Sequence, residues 1–261
     1  MFDTRSRLRT LSALLLLIGL FGLYSTCCSG LAADATSNET AQRILEKSDA
    51  IRFPKQDFQV DVTIATTERG GSPDIRKFRI YSKGNENSLV LTTAPAVDRG
   101  QILLMKQRDL WVYLPNLSQP VRLPLSQRLT GIVAYGDLAR ANFLGDYTPS
   151  LLRVEKIKGK EYYVLGLNAV DRSVTYHRVV YWVNKSNFRP YKAEFYTISG
   201  RLMKTASYEN FQSMAGTLRP TRLTMINALH EGEQSVLEYS DMKLRRLEDK
   251  VFTKDYLKKL Q

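Results

Sequence analysis

Residues 100–147 read GQILLMKQRDLWVYLPNLSQPVRLPLSQRLTGIVAYGDLARANFLGDY, and the architecture of the chain follows from this stretch. Two short runs, Gln101–Lys106 and Asp109–Leu114, flank a polar break of two residues. The second run alternates between two faces, and Trp111 and Tyr113 share one of them. Alternating runs around a short polar break predict a β-hairpin.

The segment after this hairpin has a different character. A third short strand is predicted at Pro120–Leu125, and Ser126–Gly145 follows as an apolar segment broken by three glycines. The segment has neither the period of a strand nor that of a helix. Because a long irregular apolar segment commonly covers a site, we interpret it as a lid over the concave side of a sheet. An apolar ligand beneath the lid is the corresponding functional hypothesis.

The remainder of the chain is dominated by short β-patterned segments. One amphipathic helix is predicted before them at Asn38–Ala50, with its apolar face at i, i+3, i+4 and i+7, and a short helix is predicted at Thr253–Leu260. The further predicted strands are Phe58–Thr67, Ile75–Ser82, Ser88–Thr93, Ser150–Ile157, Glu161–Leu167, Val174–Val183, Pro190–Thr197, Leu202–Phe211, Pro220–Ile226 and Glu233–Leu244. Strands at this spacing, joined by short turns and without alternating helices, predict one antiparallel sheet that curls into a barrel or half-barrel.

The N-terminus has the composition of a secretory signal peptide. Three arginines precede an apolar run at Leu11–Tyr24, which is too short for a membrane-spanning helix of about 20 residues, and small residues follow. We predict a leader over residues 1–32, with cleavage after Ala32 or Ala35, and one domain over residues 33–261. A lipid anchor on Cys27 or Cys28 is the less favoured alternative.

Charge and cysteine content narrow the class of protein. The formal net charge is +12, and it is +10 without the leader, which holds three arginines and one aspartate. A basic chain can meet nucleic acid, anionic lipid headgroups or an acidic partner. Because no stretch interleaves basic residues with stacking aromatics, no nucleic-acid partner is expected. Both cysteines lie in the leader, so the mature chain has no disulfide framework.

The sequence contains no arrangement typical of an enzyme. Its two histidines, His177 and His230, do not form a metal-binding motif, and no nucleophile elbow or phosphate loop is present. We therefore expect no catalytic residue, no metal and no cofactor. Asp137 and Asp146 bracket the lid and could form a carboxylate pair, but Gly and turn residues around them favour turn and capping roles.

Some predicted strands are apolar on both faces. Val174–Val183 has apolar side chains on each side, and Tyr191, Ala193 and Phe195 repeat the pattern. Each face of such a sheet must be buried, either by another part of the chain or by a ligand, because exposing apolar surface costs about 25 cal/mol per Å². In the alternative, the helix Asn38–Ala50 and the lid fill the concavity with their own side chains.

The chain resembles the outer-membrane lipoprotein-sorting family, the LolA-like superfamily, and most closely its branch associated with RND/MMPL-type exporters. The resemblance is carried by the leader with its following helix and by DLWVYLPNLSQPVRLP (109–124), GDLARANFLGDY (136–147), VVYWVNKSNFRPYKAEFYTISGRLMKTASYENF (179–211) and RPTRLTMIN (219–227). It implies a mainly β (α+β) fold, with a single curved antiparallel sheet. This sheet would form an unclosed β-barrel of about eleven strands, covered by helices and a lid loop.

The resemblance further implies a periplasmic carrier that encloses a lipid or the acyl chains of a lipoprotein and delivers them toward the outer membrane or a transporter. The candidate ligand-binding residues are Leu103, Trp111, Tyr113, Leu129, Ile132, Leu138, Phe143 and Leu144. The alternative is a periplasmic adaptor that docks its basic face on an RND/MMPL-type transporter and has a filled barrel. A weaker third hypothesis is an enzyme that acts on lipid headgroups through Asp137 or Asp146.

Overall fold

The computed structural model describes residues 29–257 except 85, 116, 118 and 141, with side chains from residue 38 onward. The predicted positive and apolar parts of the leader and the two cysteines lie outside these residues. The first helix, α1, spans Ser29–Arg52 and is longer than the predicted Asn38–Ala50. Its predicted apolar face is confirmed, because all four positions are buried: Ala41, Ile44, Leu45 and Ser48.

The strands follow one another with short connections. They are β1 (Phe58–Thr67), β2 (Asp74–Lys83), β3 (Asn87–Ala94), β4 (Ile102–Lys106), β5 (Asp109–Tyr113), β6 (Val121–Leu123), β7 (Arg128–Thr130), β8 (Val133–Ala134), β9 (Tyr147–Ile157), β10 (Lys160–Ala169), β11 (Arg178–Asn184), β12 (Pro190–Tyr196), β13 (Leu202–Met214), β14 (Thr217–Asn227) and β15 (Gln234–Leu244). Helix α2 (Tyr135–Ala139) lies between β8 and β9, and α3 (Lys254–Leu257) ends the described chain.

Thirteen of these strands form one antiparallel sheet, in the order β6-β5-β4-β3-β2-β1-β15-β14-β13-β12-β11-β10-β9. The order is linear and leaves β6 and β9 as edges, so the sheet is not closed. The predicted fold class is confirmed, and each of the thirteen predicted segments forms a strand of the sheet. The expected count of about eleven was too low. The segment predicted as Val174–Val183 begins its strand only at Arg178.

The sheet curls around α1 and the lid. Side chains from both halves of the sheet meet in one buried cluster, which joins Val90 and Leu103 to Val179 and Phe195. These strands are far apart in the sheet order, and only strong curvature brings their inner faces together. Helix α1 packs inside this curve against β9, β12 and β14.

The outer face of the sheet has its own covered regions. The segment after β15 places Phe252 and Leu257 on the outer side of β3, β4 and β5. On the outer side of β10, β11 and β12, Trp182 is buried beneath charged side chains, and the Lys192 ammonium lies 3.8 Å from its ring centroid. Apolar residues on the outer face are thus covered by the C-terminal segment over β3, β4 and β5, and by charged side chains over Trp182.

Gly131 fixes the β7–β8 turn against the sheet. It has φ +49°, and a Cβ added there would lie 2.6 Å from Ser235 Oγ and still closer to the side chain of Thr66. Gly131→Ala is expected to lower the free energy of unfolding by at least 1–3 kcal/mol, because it adds backbone strain and a steric clash (about the cost of a strained residue). Urea denaturation measures this change.

Gly145→Ala provides the matched control. Gly145 also has positive φ, but no atom lies within 4 Å of an added Cβ. Its substitution therefore tests backbone strain alone. An equal loss of stability in both variants would contradict the close packing of the β7–β8 turn on Thr66 and Ser235.

Candidate functional site

The predicted lid, residues 126–145, covers the inner face of the sheet. It consists of the two-stranded β7–β8 sheet, α2 and the loop that leads into β9. Val133, Leu138 and Phe143 belong to the same buried cluster as α1 and the inner side chains of the large sheet. The lid is therefore packed as part of the core in this closed form.

Six of the eight candidate ligand-binding residues line this interior. Leu103, Leu138 and Phe143 are buried within the inner cluster, and the other three are partly buried against it: Leu129, Ile132 and Leu144.

Trp111 and Tyr113 lie elsewhere. They belong to the outer cluster beneath the C-terminal segment, and the Lys254 ammonium lies 4.4 Å from the Trp111 ring centroid. Leu110 and Val112 take the inner positions of β5 instead. The alternation of this strand is as predicted, but its aromatic face points outward. A ligand beneath the lid would not contact Trp111 or Tyr113.

The first of three polar anchors holds the lid to α1. The Asp49 carboxylate accepts hydrogen bonds from the backbone N–H groups of Phe143 at 2.9 Å and Leu144 at 2.7 Å. Arg52 forms an ion pair with the same carboxylate at 3.0 Å. Burial raises the pKa of Asp49, although Arg52 and the two N–H groups act in the opposite direction. The last turn of α1 thus holds the loop after α2.

The second anchor joins α2 to β13. Lys204 Nζ donates to Asp137 Oδ2 at 2.6 Å and to the Ile132 carbonyl at 2.8 Å. The same carboxylate oxygen accepts from the Tyr176 hydroxyl at 2.7 Å and from the Ala134 N–H at 2.8 Å. Burial lowers the pKa of Lys204, while the charge of Asp137 raises it.

The third anchor connects distant parts of the sheet through the end of the lid. Arg108, in the β4–β5 turn, donates to Asp146 at 2.9 Å, to Asp171 at 2.8 Å and to the Gly145 carbonyl at 2.7 Å. Arg140 forms an ion pair with the same Asp146 carboxylate. Because β4 and β5 lie near one edge of the sheet and β9 forms the other, these contacts bridge the open side of the barrel.

Little free space remains beneath the closed lid. The cavity between Arg52, Tyr176 and Phe195 has a volume of about 30 Å³, and a second one beside Phe58 and Leu138 has about 20 Å³. Each has room for one or two water molecules and none for an acyl chain. Outside the lid lies a cleft of about 840 Å³, open to solvent, with Lys55, Arg108, Arg122 and Arg140 among its lining residues.

The other candidate chemical groups are dispersed or used in packing. His177 and His230 are exposed and lie in separate connections. Asp137 and Asp146 do not form a pair of free carboxylates, because Asp137 is bound by Lys204 and Asp146 by Arg140. Asp137 also caps α2 through the Ala134 N–H. Residues 29–257, with the exceptions given above, contain no group of three or more metal-ligating side chains.

The sequence interpretation missed the anchors. Asp49, Lys204, Arg108 and Arg140 were not singled out, although one signal was present for two of them. Asp49 follows Ser48 of the apolar face of α1, and Lys204 shares a face of β13 with the buried Ala206 and Tyr208. A charged residue on an otherwise apolar face indicates a buried partner.

The described chain is thus an unclosed, curved antiparallel sheet that wraps a helix and a lid. The described helices are each too short or too polar to cross a bilayer. A family model described only as "Uncharacterized protein" matches residues 84–259. No curated protein matches the chain.

The solved structures identify the family. A LolA superfamily protein from Nitrosomonas europaea is 62% identical, with a TM-score of 0.80, over 83% of this chain and 98% of that one. The chain belongs to the LolA superfamily.

Two more distant structures share the fold. One is described as an outer membrane lipoprotein-sorting protein domain from Vibrio parahaemolyticus, with 24% identity, a TM-score of 0.71 and coverage of 85% of this chain and 99% of that one. The other is a DUF1329 family protein from Desulfovibrio piger, with 23% identity, a TM-score of 0.73 and the same coverage of both chains.

Proposed function

We propose that this protein is a periplasmic carrier that binds a lipid, or the acyl chains of a lipoprotein, beneath the lid and delivers it toward the outer membrane or a membrane transporter. The observation that carries the proposal is the lid itself. It closes a continuous apolar interior, yet three polar anchors hold it to α1 and the sheet. In this proposal the anchors break when the lid opens and form again when it closes, and a ligand favours the open arrangement.

Loading requires displacement of the lid, because the closed interior has no room for a chain. Displacing Leu138 and Phe143 would uncover the apolar inner side chains of the sheet, and an acyl chain would replace them. Enclosing the chain is favourable, since each CH₂ group removed from water contributes about 0.8 kcal/mol. The six inner candidate residues are the proposed contacts.

Export is part of the proposal. Removal of residues 1–32 by a signal peptidase would place the mature chain in the periplasm, and an RND/MMPL-type transporter is the proposed membrane partner. Intact mass of the protein purified from the periplasm tests the cleavage site. A mass increased by acyl groups at Cys27 or Cys28 would instead establish a lipid anchor.

The adaptor hypothesis remains the second candidate, because the filled interior favours it. Native mass spectrometry of protein from the periplasm, followed by lipid extraction, separates the two. A discrete co-purifying lipid or acylated peptide supports the carrier. A mass without lipid, unchanged after incubation with membranes, supports the adaptor.

Arg108→Gln is expected to loosen the lid with little loss of global stability. The substitution removes the ion pairs to Asp146 and Asp171, and the Arg108 side chain is 27% exposed. The exposed pair with Asp171 contributes about 0–1 kcal/mol, and the buried Asp146 carboxylate keeps Arg140 as its partner. Amide exchange over residues 143–147 should become several-fold faster, as measured by mass spectrometry.

Arg122→Gln is the control for this experiment. Arg122 lines the same cleft but pairs with Asp109 of the neighbouring strand, and it is largely exposed. Its exchange pattern over the lid should match that of the wild type. Equal amide exchange rates over residues 143–147 in the Arg108 and Arg122 variants would mean that the third anchor does not hold the lid closed.

A further inference from the structure

The two ends of the sheet carry different charge. Since the sheet is antiparallel, its connections leave alternately at the two ends. The β1–β2, β3–β4, β10–β11, β12–β13 and β14–β15 connections share one end, and the β9–β10 and β11–β12 connections and the last residues of β15 share the other. The first set contains four arginines and five acidic residues: Arg69, Arg99, Arg172, Arg201, Glu68, Asp98, Asp171, Glu231 and Glu233.

The other end, here called the basic end, concentrates positive charge. Its two neighbouring connections and their flanking strand residues present Lys156, Lys158, Lys160, Lys185 and Arg189. The pairing of Tyr162 with Asn184 places the two turns side by side.

Most of this charge is unpaired. Lys185 has an acidic partner in Glu161 at 3.3 Å. The three lysines of the β9–β10 hairpin are exposed and have no acidic group within 4 Å in the part of the chain that the structure describes. At the end of β15, three further cations continue the same end of the sheet: Lys243, Arg245 and Arg246, of which Lys243 pairs with Asp241 at 2.7 Å.

The cleft beside the lid is separate from these lysines. Its lining residue Arg108 contacts Asp146, directly before β9, and Asp171, just after β10. The β9–β10 hairpin lies at the other end of both strands, roughly 30 Å away at 3.3 Å per residue. The exposed lysines therefore form a surface of their own, away from the third anchor.

We propose that the basic end docks on a membrane surface rich in anionic lipid headgroups. The lysines have long flexible stems, and no exposed aromatic residue accompanies them on the hairpin. A specific protein interface is normally centred on aromatic and arginine anchors, whereas spaced lysines suit a diffuse layer of phosphate charge. The inference goes beyond the proposed function, because it concerns contact with a membrane and is independent of the cargo.

The test compares two triple variants with equal loss of charge. Lys156→Gln/Lys158→Gln/Lys160→Gln removes the hairpin lysines, and Arg69→Gln/Arg99→Gln/Arg201→Gln removes three arginines from the opposite end. The full mature chains are sedimented with phosphatidylcholine vesicles, with and without phosphatidylglycerol, at low and high salt. Circular dichroism confirms that both variants are folded.

The lysine variant should bind the phosphatidylglycerol vesicles about 100-fold more weakly than the wild type, because each basic residue near the surface contributes close to fivefold. The arginine variant should bind like the wild type, and high salt should abolish the difference. Equal binding by both variants, or wild-type binding that ignores phosphatidylglycerol, would overturn the proposal. The latter result would favour an acidic protein partner.

Lipid co-purification is measured on the same variants. The lysine variant should carry as much lipid as the wild type, since the three lysines are exposed and lie at the opposite end of β9 from the third anchor. A protein without any cargo that still shows the vesicle difference would contradict the carrier function and leave the docking face intact.

Discussion

Lys204→Met is expected to lower the free energy of unfolding by about 3–5 kcal/mol, the cost of breaking a buried ion pair by removing one partner. Lys204 and Asp137 have side chains only 4% and 8% exposed. Without Lys204 the Asp137 carboxylate keeps two neutral donors and loses its counter-charge, and the Ile132 carbonyl loses a donor. Urea denaturation followed by tryptophan fluorescence measures the change.

The double variant Lys204→Met/Asp137→Asn should recover at least half of that loss. An asparagine carbonyl can still accept from Tyr176 and Ala134, and no buried charge remains. The two single variants and the double variant form a thermodynamic cycle that isolates the pair. Strictly additive effects would mean that the pair contributes nothing to lid closure.

Asp137→Asn alone should show a particular pH dependence. Burial already lowers the pKa of Lys204, and loss of the opposing charge would lower it further. The unfolded chain then binds more protons than the folded one, so stability should rise with pH from 7 to about 10, the ordinary pKa of lysine. The wild type should show a smaller rise over the same range.

Much of the fold was predictable because it depends on local patterns. Apolar runs and period-2 alternation between turn residues identified all thirteen strands of the sheet, and the 3.6-residue period identified the buried face of α1. The bounds of the lid were predictable because residues 126–145 show neither the 2-residue period of a strand nor the 3.6-residue period of a helix. Its β7–β8 turn and α2 were not, since short elements draw their stability from contacts with the sheet.

Two features depend on residues that are far apart in the sequence: the side of the sheet on which a side chain lies, and the group with which a charged residue pairs. Strand β5 is apolar on both faces, so its alternation does not indicate which face is the inner one. The C-terminal segment, more than 130 residues later, covers the outer face, on which Trp111 lies. In the same way Asp49 meets Phe143, and Lys204 meets Asp137, only after the sheet has curled. No spacing in the sequence encodes these contacts.

Phe143→Asp is expected to reduce co-purifying lipid at least tenfold, while the protein remains folded and soluble. The Phe143 ring packs edge-on against Tyr181 and Tyr147, and the Arg52 guanidinium lies 4.3 Å from its centroid. A buried Phe side chain contributes about 1.5–3 kcal/mol of apolar burial, and a new carboxylate beside Asp49 adds repulsion. Lipid extraction and mass spectrometry measure the cargo.

Phe143→Leu separates the loss of apolar surface from the loss of the ring. It preserves most of the volume beneath the lid, so the lipid content should stay within about threefold of the wild type, given that conservative apolar exchanges cost less than about 1.5 kcal/mol. Near-ultraviolet circular dichroism shows whether the aromatic cluster around Tyr181 remains ordered in both variants. Unchanged lipid content in the aspartate variant would mean that cargo does not lie beneath the lid, because no apolar chain could share that space with an unpaired carboxylate.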